Sequence, residues 1–367
     1  MRILYIYSSY TSGGGERATL DLAENVQKRG GYVVTGFPKK SFLYESAKQR
    51  GLPVEHLKLY GSLDFRAVYW LMKIIRKHKV DILHVQQGKA FWPAVFVKIM
   101  LGNKLKLIFH RRTMLPVNKD FRGVYSPADR VIVISNAVKD VVVGTDKVNP
   151  AKVVVIYDGI KVQKFVDNIN RDTRRKELGY GHTDFVVTTV SALNPPRGKG
   201  QDVLLRVTAK LRRKYPVLRI LIVGDGAYRA KLESYATKLG VADITKFTGR
   251  REDIADIFAA SDLSCMLSWD TEALGLAAIE AQAAGRPVIV TNTGGLVETV
   301  LPGKTGWVID KDDDAGLERL LSNILDDRGK VAGMEHDCKT WVTEKFDAED
   351  SITRVCEVYK QLLASIK

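Results

Sequence analysis

Residues 271–281 read Thr-Glu-Ala-Leu-Gly-Leu-Ala-Ala-Ile-Glu-Ala, and this stretch governs how the rest of the chain is interpreted. Its two glutamates, Glu272 and Glu280, are eight residues apart, about two turns of a helix at 3.6 residues per turn. The spacing predicts a helix that begins just after Glu272 and has Glu280 on the same face. Its first N–H groups would suit a phosphate or sugar hydroxyls, with the carboxylates accepting hydrogen bonds. A simpler alternative is one acidic residue that complements the helix dipole and a second on the surface.

Short apolar runs alternate with helical stretches on both sides of this segment. In the first half, helices are expected at 16–29 and 67–77, and the apolar runs are residues 2–7, 32–37, 81–85, 106–109, 130–134 and 153–156. The alternation starts again in the second half, with runs at residues 185–191, 219–223, 244–248, 263–267, 287–290 and 306–309. This order is typical of βαβ units and predicts an α/β protein with two doubly wound, Rossmann-like parallel sheets. Ligands bind beyond the carboxyl ends of such strands, so we expect two domains that face a central cleft.

The length of 367 residues also favours two domains, because a single core stops growing at roughly 250 to 300 residues. Polar residues between positions 158 and 174 interrupt the apolar pattern and indicate the join. We therefore predict an N-terminal domain at residues 1–165 and a C-terminal domain at residues 166–350. The last helix, at residues 351–367, could pack back on the N-terminal domain.

The charge is distributed unevenly. Residues 1–165 hold 28 Lys and Arg against 12 Asp and Glu, a net charge of +16, whereas residues 166–367 hold 29 against 30. This excess favours a polyanionic partner, either an anionic membrane surface or a nucleic acid, although a solvated basic surface is also compatible with it. Residues 65–77 and 91–100 mix aromatic and apolar bulk with cations, which predicts helices lying in a membrane interface. The alternative is that both stretches pack on the sheet.

Several features bear on the compartment. No apolar run approaches the roughly 18 residues that cross a bilayer, and the first residues lack the pattern of a secretory signal. Three scattered cysteines, Cys265, Cys338 and Cys356, leave an odd thiol and have no metal-ligand spacing. We therefore expect a cytoplasmic protein, peripheral on the inner face of the cytoplasmic membrane if it binds lipid. The run at residues 312–314, three aspartates, is interpreted as a solvated cluster that caps a helix far from the other motifs, so no metal site is predicted.

Other segments accompany the two glutamates in a fixed order. In the second half they are residues 222–226, 247–249, 259–262, 283–290, 294–295 and 303–306, and in the first half residues 12–17, 81–84, 108–110 and 128–135. This ordered set resembles the retaining glycosyltransferases of family four, which have the GT-B fold. The resemblance extends over most of the chain.

The resemblance implies an enzyme that moves a hexosyl-type sugar from a nucleotide-diphosphate sugar to a carbohydrate or lipid-linked acceptor, with retention of configuration. Synthesis of lipopolysaccharide, polysaccharide or glycolipid would be its setting. The main alternative is a nucleotide-sugar epimerase or a sugar-phosphate synthase of the same fold. The nucleotide-sugar donor would be a co-substrate, and no cofactor or metal is expected. A nucleic-acid partner is not expected either, because the basic excess carries no recognition motif and the glutamate-rich site would repel phosphate chains. The glycines at 13–15 and 224–226 lack the spacing of a nicotinamide dinucleotide turn, which argues against a dehydrogenase.

The resemblance also assigns roles to individual residues. His110 would face the transferred sugar, Glu272 would orient the donor sugar, and Lys199 and Arg197 would hold the donor diphosphate. Ala192 stands where the family usually has an arginine, and Arg197 would replace that missing cation. The remaining donor-binding residues would be Gly14, Gly15, Gly224, Arg250, Ala273, Leu274, Gly275, Leu276 and Glu280. A histidine at a strand end is otherwise often a structural residue, which is the alternative for His110 and for His84.

Overall fold

A computed structural model describes residues 1–10, 13–57, 59–61, 63–86, 90–117, 123–166, 170–195 and 197–365. The chain divides into two compact units: unit 1 comprises Met1–Gly159 and Glu349–Lys367, and unit 2 comprises Ile160–Ala348. The division precedes residue 165, the boundary expected from sequence, because Phe165 packs against an apolar cluster of unit 2. Ser12, part of the quoted glycine segment, and Asn168 in the polar join lie outside the described residues.

Unit 1 is built on a seven-stranded parallel sheet with the strand order β3-β2-β1-β4-β5-β6-β7. Its strands are β1 (Arg2–Ile6), β2 (Tyr32–Phe37), β3 (Val54–His56), β4 (Ile82–Val85), β5 (Lys106–Arg111), β6 (Arg130–Val133) and β7 (Val153–Val155). Its first helices are α1 (Gly14–Lys28), α2 (Phe42–Gln49), α3 (Phe65–His78), α4 (Phe91–Leu101) and α5 (Asn136–Asp140). Helix α1 begins at a glycine turn because Gly13 N donates to the Glu16 carboxylate at 3.1 Å. The Asp64 carboxylate caps α3 by accepting from Arg66 N at 3.0 Å.

Unit 2 has a six-stranded sheet with the order β10-β9-β8-β11-β12-β13. The strands are β8 (Phe185–Val190), β9 (Leu218–Val223), β10 (Thr245–Gly249), β11 (Leu263–Met266), β12 (Val288–Thr291) and β13 (Gly306–Ile309). The helices are α6 (Gln163–Val166), α7 (Arg171–Glu177), α8 (Gln201–Leu211), α9 (Arg229–Lys238), α10 (Ile254–Ala260), α11 (Leu276–Ala283), α12 (Asp314–Asp326), α13 (Gly329–Gly333) and α14 (Glu335–Phe346). All six strands pair in parallel. The two sheets and their flanking helices confirm the prediction of two doubly wound α/β domains.

The last helix, α15 (Ala348–Ala364), lies in unit 1 although the preceding residues belong to unit 2. Arg29, which directly follows α1, forms an ion pair at 2.6 Å with Glu349 in the first turn of α15. Farther along, its apolar face is buried and includes Val355 and Tyr359. Within the described part of the chain, no helix is long and apolar enough to cross a membrane.

Candidate functional site

Lys199 and Glu272 form an ion pair in unit 2. Lys199 Nζ lies 2.7 Å from Glu272 Oε2, and the hydroxyl of Ser268 donates to the same oxygen at 3.2 Å. Lys199 stands between β8 and α8, and Glu272 stands between β11 and α11, so both follow the carboxyl ends of neighbouring strands. The pair therefore lies at the sheet edge where ligands of parallel α/β domains bind.

The segment after Glu272 turns sharply before α11 begins. The helix starts at Leu276, later than predicted, because Gly275 has a φ of +99° and ends the preceding loop. A Cβ atom on Gly275 would lie 2.5 Å from Leu296 Cδ1, so only glycine fits there. Residues 272–275 are therefore not helical, and Glu280 alone of the two glutamates is on the helix. The N–H groups at the helix start therefore belong to Leu276 and the residues after it, and Ala273 and Leu274 lie in the preceding loop.

Two other donor-binding candidates follow β9 and β10. Gly224 has a φ of +132°, and a Cβ atom there would lie 1.8 Å from the carbonyl oxygen of Ser191. Its N–H donates to Gly249 O at 2.9 Å. Gly224 thus permits close backbone packing at the carboxyl end of β9, whereas Arg250 is exposed after the edge strand β10.

Arg197 is held by two carboxylates. Its guanidinium nitrogen lies 3.0 Å from Asp202 and 2.6 Å from Asp312, and its Cζ lies 5.9 Å from the Trp269 ring centroid. Hydrogen bonding to Asp312 raises the pKa of Arg197, and the same contact lowers the pKa of Asp312. Arg197 would have to exchange these partners in order to hold a diphosphate.

The contact with Arg197 corrects the interpretation of the three aspartates at 312–314. Asp313 does cap α12, because its carboxylate accepts from Gly316 N at 2.8 Å. Asp312 is exposed, as expected, but the prediction that the run is far from the other motifs is wrong, since Asp312 binds Arg197 and Asp314 binds Arg206 at 2.7 Å. Sequence spacing gave no signal of these contacts because the paired residues are more than 100 positions apart.

In unit 1, the glycine turn packs on two polar side chains that were not predicted. A Cβ atom on Gly15 would lie 3.3 Å from the Tyr7 hydroxyl and 3.4 Å from Arg112 Cδ, whereas Gly14 is exposed. Burial raises the pKa of Tyr7 to about 12, and the nearby Glu16 charge acts in the same direction. The glycine turn therefore packs against two polar groups, the neutral phenol of Tyr7 and the guanidinium of Arg112.

Arg112 is fixed by Asp158 and Gln86. Its Nε atom donates to Asp158 Oδ2 at 2.7 Å, a second nitrogen donates to Asp158 Oδ1 at 3.1 Å, and a third donates to Gln86 Oε1. The Arg112 and Asp158 side chains are 8% and 10% exposed. A bidentate pair so well buried is a rigid group at the carboxyl edge of the sheet. The sequence could have identified Arg112 as a candidate because it closely follows a predicted strand.

His110 lies in β5, two residues before Arg112, and its side chain is 2% exposed. Neither ring nitrogen has a hydrogen-bond partner among the described residues, and its Nε2 lies 3.9 Å from Asp158 Oδ1. The ring stacks on that of His84, with centroids 5.3 Å apart and planes inclined by 6°. Burial first and the Arg112 charge second lower the pKa of both histidines well below 6.5. Both rings are therefore neutral near pH 7 and can donate or accept hydrogen bonds.

The structure thus groups the predicted residues within each unit. Lys199, Glu272 and the start of α11 meet in unit 2, while His110 and the glycine turn lie in unit 1 with Arg112. In the described ranges, no group of three or more His, Cys, Asp and Glu side chains is arranged to hold a metal ion, and the three cysteines are buried and unpaired. Chemically, unit 2 offers a cation and the start of a helix, both suited to phosphate, and unit 1 offers neutral hydrogen-bonding groups suited to hydroxyls.

Both halves of the chain match known protein families. Residues 12–164 match Glycosyltransferase Family 4, and residues 170–341 match Glycosyl transferases group 1. A D-inositol 3-phosphate glycosyltransferase from Streptomyces avermitilis is 31% identical over 259 residues, 66% of this chain and 55% of that protein. A GDP-mannose-dependent monoacylated alpha-(1-6)-phosphatidylinositol monomannoside mannosyltransferase from Corynebacterium glutamicum is 37% identical over 186 residues, 48% of either chain. The chain spans about half the length of the curated relatives it matches.

Solved structures share the fold. A glycosyltransferase from Rickettsia africae superposes with a TM-score of 0.91 at 21% identity, covering 99% of this chain and 98% of the other. The Anabaena protein HepE, solved in complex with UDP, superposes with a TM-score of 0.87 at 23% identity, covering 98% of this chain and all of that chain. These similarities establish the GT-B architecture.

Proposed function

The chain belongs to the glycosyltransferases of family four, which have the GT-B fold, and we propose that it moves a hexosyl group from a nucleotide-diphosphate sugar to a lipid-linked acceptor with retention of configuration. The observation that supports this most directly is the Lys199–Glu272 pair beside the start of α11. Family membership supports the reaction class, and the named mannosyltransferase from Corynebacterium glutamicum uses GDP-mannose.

Unit 2 would stabilise the departing diphosphate. The bond between the anomeric carbon and a phosphate oxygen breaks, the acceptor oxygen bonds to that carbon, and the acceptor proton passes to the departing diphosphate. Negative charge grows on the phosphate as the bond breaks, so Lys199 and the first N–H groups of α11 stabilise it electrostatically. Glu272, once released from Lys199, accepts hydrogen bonds from sugar hydroxyls, and Glu280 binds the ribose. Arg197 adds a second cation if the donor displaces its aspartates.

Unit 1 would bind the sugar and the acceptor hydroxyls. His110 is neutral, buried and without a hydrogen-bond partner among the described residues, so a sugar hydroxyl that reaches the ring would satisfy one of its nitrogens. Gly15 lets the start of α1 pack closely on Tyr7 and on the fixed Arg112–Asp158 pair.

The acceptor is proposed to be lipid-linked because helix α3 exposes several aromatic side chains. Phe65 and Tyr69 are 70% and 64% exposed, and Trp70 is 46% exposed, although Leu71 and Ile75 of the same helix are buried. Helix α3 follows β3, so its first turns lie at the carboxyl edge of the sheet with the glycine turn. One face of α3 packs in the core, and the exposed aromatics beside basic groups such as Lys73 would suit an anionic lipid surface.

Donor turnover tests the proposal. Release of nucleoside diphosphate from UDP-, GDP- and ADP-sugars is measured with and without vesicles that contain the glycolipid acceptor. A transferase releases diphosphate and glycosylates the lipid, whereas an epimerase converts the donor without any acceptor. A parallel reaction in chelator tests the expectation that no metal is needed. A thermal-shift screen with the free diphosphates identifies the base first, because a ligand at about 100 times its Kd adds ~2.7 kcal/mol of stability.

A further inference from the structure

The peptide group between Gly198 and Lys199 is held at both ends by side chains of unit 2. Lys199 N donates to Gln201 Oε1 at 2.7 Å, and Gly198 O accepts from Trp269 Nε1 at 3.1 Å. Gln201 is buried, and its Nε2 donates to Ser191 Oγ at 2.6 Å, directly after the end of β8. None of these three side chains is among the site residues expected from sequence.

The orientation of the Gln201 amide follows from the backbone. A peptide N–H group can only donate, so the atom that meets Lys199 N is the side-chain oxygen of Gln201. The amide nitrogen then faces Ser191 Oγ, which can accept a hydrogen bond. Both ends of the amide are thus engaged, and the Gln201 side chain links the end of β8 to the loop that carries Lys199.

Glycines on both sides of Lys199 bring this loop close to its neighbours. Gly198 and Gly200 have φ values of +67° and +80°. A Cβ atom on Gly198 would lie 2.4 Å from Gln201 Oε1, and one on Gly200 would lie 1.9 Å from Leu267 O, just after β11. Because glycine has the most backbone freedom to lose on folding, the loop depends on outside contacts to stay in one conformation.

We propose that Gln201 and Trp269 are positioning residues, which fix the 198–199 peptide and thereby keep Lys199 directed at the donor diphosphate. This inference rests on the proposed function for the role of Lys199 in transfer. In that reaction Glu272 exchanges Lys199 for sugar hydroxyls, so the ion pair no longer holds the lysine side chain. The backbone then determines where Lys199 Nζ can lie, because the rotamers open to a side chain depend on its own φ and ψ.

Amide hydrogen exchange tests the first step without any substrate. It is followed by nuclear magnetic resonance with isotope-labelled lysine, and a Lys199→Arg variant identifies the Lys199 signal. Gln201→Met keeps the length of the side chain and removes both of its hydrogen bonds. We expect the Lys199 amide to exchange at least about tenfold faster in this variant, because a bonded amide exchanges only when its hydrogen bond opens. The Lys210 amide, farther along α8, should keep its parent rate.

Gln282→Met is the matched control. Gln282 is also a buried glutamine of unit 2, and its Nε2 donates to Ala278 O at 2.9 Å and to Thr299 O at 3.0 Å. The same substitution there removes buried hydrogen bonds that do not involve the 198–199 peptide. Exchange of the Lys199 amide should be unchanged in this control. Parent-like exchange in Gln201→Met, or equal acceleration in both variants, overturns the proposal.

A double-mutant cycle tests the second step. In Gln201→Met, kcat for sugar transfer should fall about tenfold, because a displaced Lys199 stabilises the departing diphosphate less well. Added to Lys199→Ala, the same substitution should lower kcat by no more than about twofold, because a group that acts through Lys199 then has nothing left to position. A group that only stabilises the fold would lower kcat by the same factor in both backgrounds.

Trp269→Phe repeats both measurements if Gln201→Met does not fold, since it keeps an aromatic ring and removes only the hydrogen bond to Gly198 O. Equal losses of kcat in the parent and Lys199→Ala backgrounds overturn the positioning role. If the parent protein turns over no sugar nucleotide, the proposed function fails and the role in transfer falls with it. The exchange rates still decide whether Gln201 and Trp269 fix the peptide.

Discussion

Lys199 and Glu272 form an ion pair, so under the proposed function donor binding would be an exchange of partners. The side chains are 33% and 17% exposed, and an ion pair of that kind contributes about 0 to 1 kcal/mol. Stabilising a developing phosphate charge contributes more, about 2 to 4 kcal/mol. In the proposed reaction the exchange would therefore favour the transition state, and it would free the Glu272 carboxylate to accept hydrogen bonds from sugar hydroxyls.

Lys199→Ala should lower kcat/KM by about 30-fold to 1,000-fold, which corresponds to the loss of ~2 to 4 kcal/mol of transition-state stabilisation. Lys210→Ala is the matched control, because Lys210 also pairs with a glutamate, Glu318, at 2.9 Å, but lies on the exposed side of α8. Steady-state kinetics with saturating acceptor give both values. A Lys199→Ala rate within threefold of the parent rate would remove Lys199 from the site.

The buried histidines make stability depend on pH. Their pKa is lowered in the folded state, whereas an unfolded histidine binds a proton near pH 6.5. Below that pH the unfolded state binds more protons, so the free energy of unfolding decreases as the pH falls, by about 1.4 kcal/mol per pH unit for each histidine. His110→Gln should therefore reduce this slope by about 1.4 kcal/mol per pH unit between about pH 6 and 5.

Denaturant titrations at several pH values measure the slope. His182→Gln is the control, since the His182 side chain is 84% exposed and should leave the slope unchanged. The same slope in His110→Gln and in the parent would contradict the lowered pKa of His110.

Candidate site residues could be predicted from the sequence where they stand in short motifs, but not where they are defined by a partner distant in sequence. Lys199, Glu272 and His110 stand in short ordered motifs, so their neighbourhoods are visible in the sequence. Arg112 and Asp158 are 46 positions apart, and only the parallel sheet brings them together. Asp158 in particular stands in the polar join between domains, where no periodicity identifies it.

At the scale of elements, the two aromatic helices present the clearest surface. Phe65 of α3 packs on Phe96 of α4, with ring centroids 5.6 Å apart, and still exposes most of its side chain. Water-exposed aromatics beside cations are stable on an anionic interface, where the rings leave water and the charges stay hydrated.

Phe65→Ser should weaken binding to anionic vesicles about fivefold to tenfold, a loss of ~1 to 1.4 kcal/mol for the apolar area that no longer enters the interface. Val166→Ser, which removes an exposed apolar side chain from α6 in unit 2, is the control. Sedimentation with vesicles at low and high salt measures both. Equal binding to neutral and anionic vesicles at low salt would eliminate the membrane surface as a partner.

The elements themselves were largely predictable because most strands are continuous apolar runs buried on both faces. Strand β3 was missed, since its three residues are only half-buried or exposed at the sheet edge and show no alternation. The start of α11 was placed too early because the left-handed turn at Gly275 depends on packing against Leu296, which is distant in sequence.

For the whole molecule, unit 1 is completed by residues from the far end of the chain. Helix α15 buries apolar side chains including Ile352, Val355, Val358 and Leu362. At about 1.5 to 3 kcal/mol for each buried side chain, their contribution is comparable with the total stability of a domain, about 5 to 15 kcal/mol.

Deletion of residues 349–367 should therefore unfold unit 1 and leave unit 2 folded. Limited proteolysis with mass spectrometry would then recover a resistant fragment close to residues 160–348. The uncut full-length chain is the control under the same conditions. Recovery of an intact resistant fragment at residues 1–159 would contradict a structural dependence on α15.

The hydrogen bond between Tyr5 in β1 and Tyr359 in α15 also sets an order of events during protein synthesis. The two residues are 354 positions apart, so the first strand leaves the ribosome long before its partner exists. At elongation rates of about 5 to 20 residues per second, that interval lasts roughly 20 to 70 s. During that interval the Tyr5 hydroxyl of the nascent unit 1 lacks its partner in α15. Unit 2, by contrast, is synthesised as one continuous segment. A molecular chaperone that shields nascent apolar surface would therefore act on unit 1, and a premature stop codon ahead of Tyr359 would leave unit 1 incomplete.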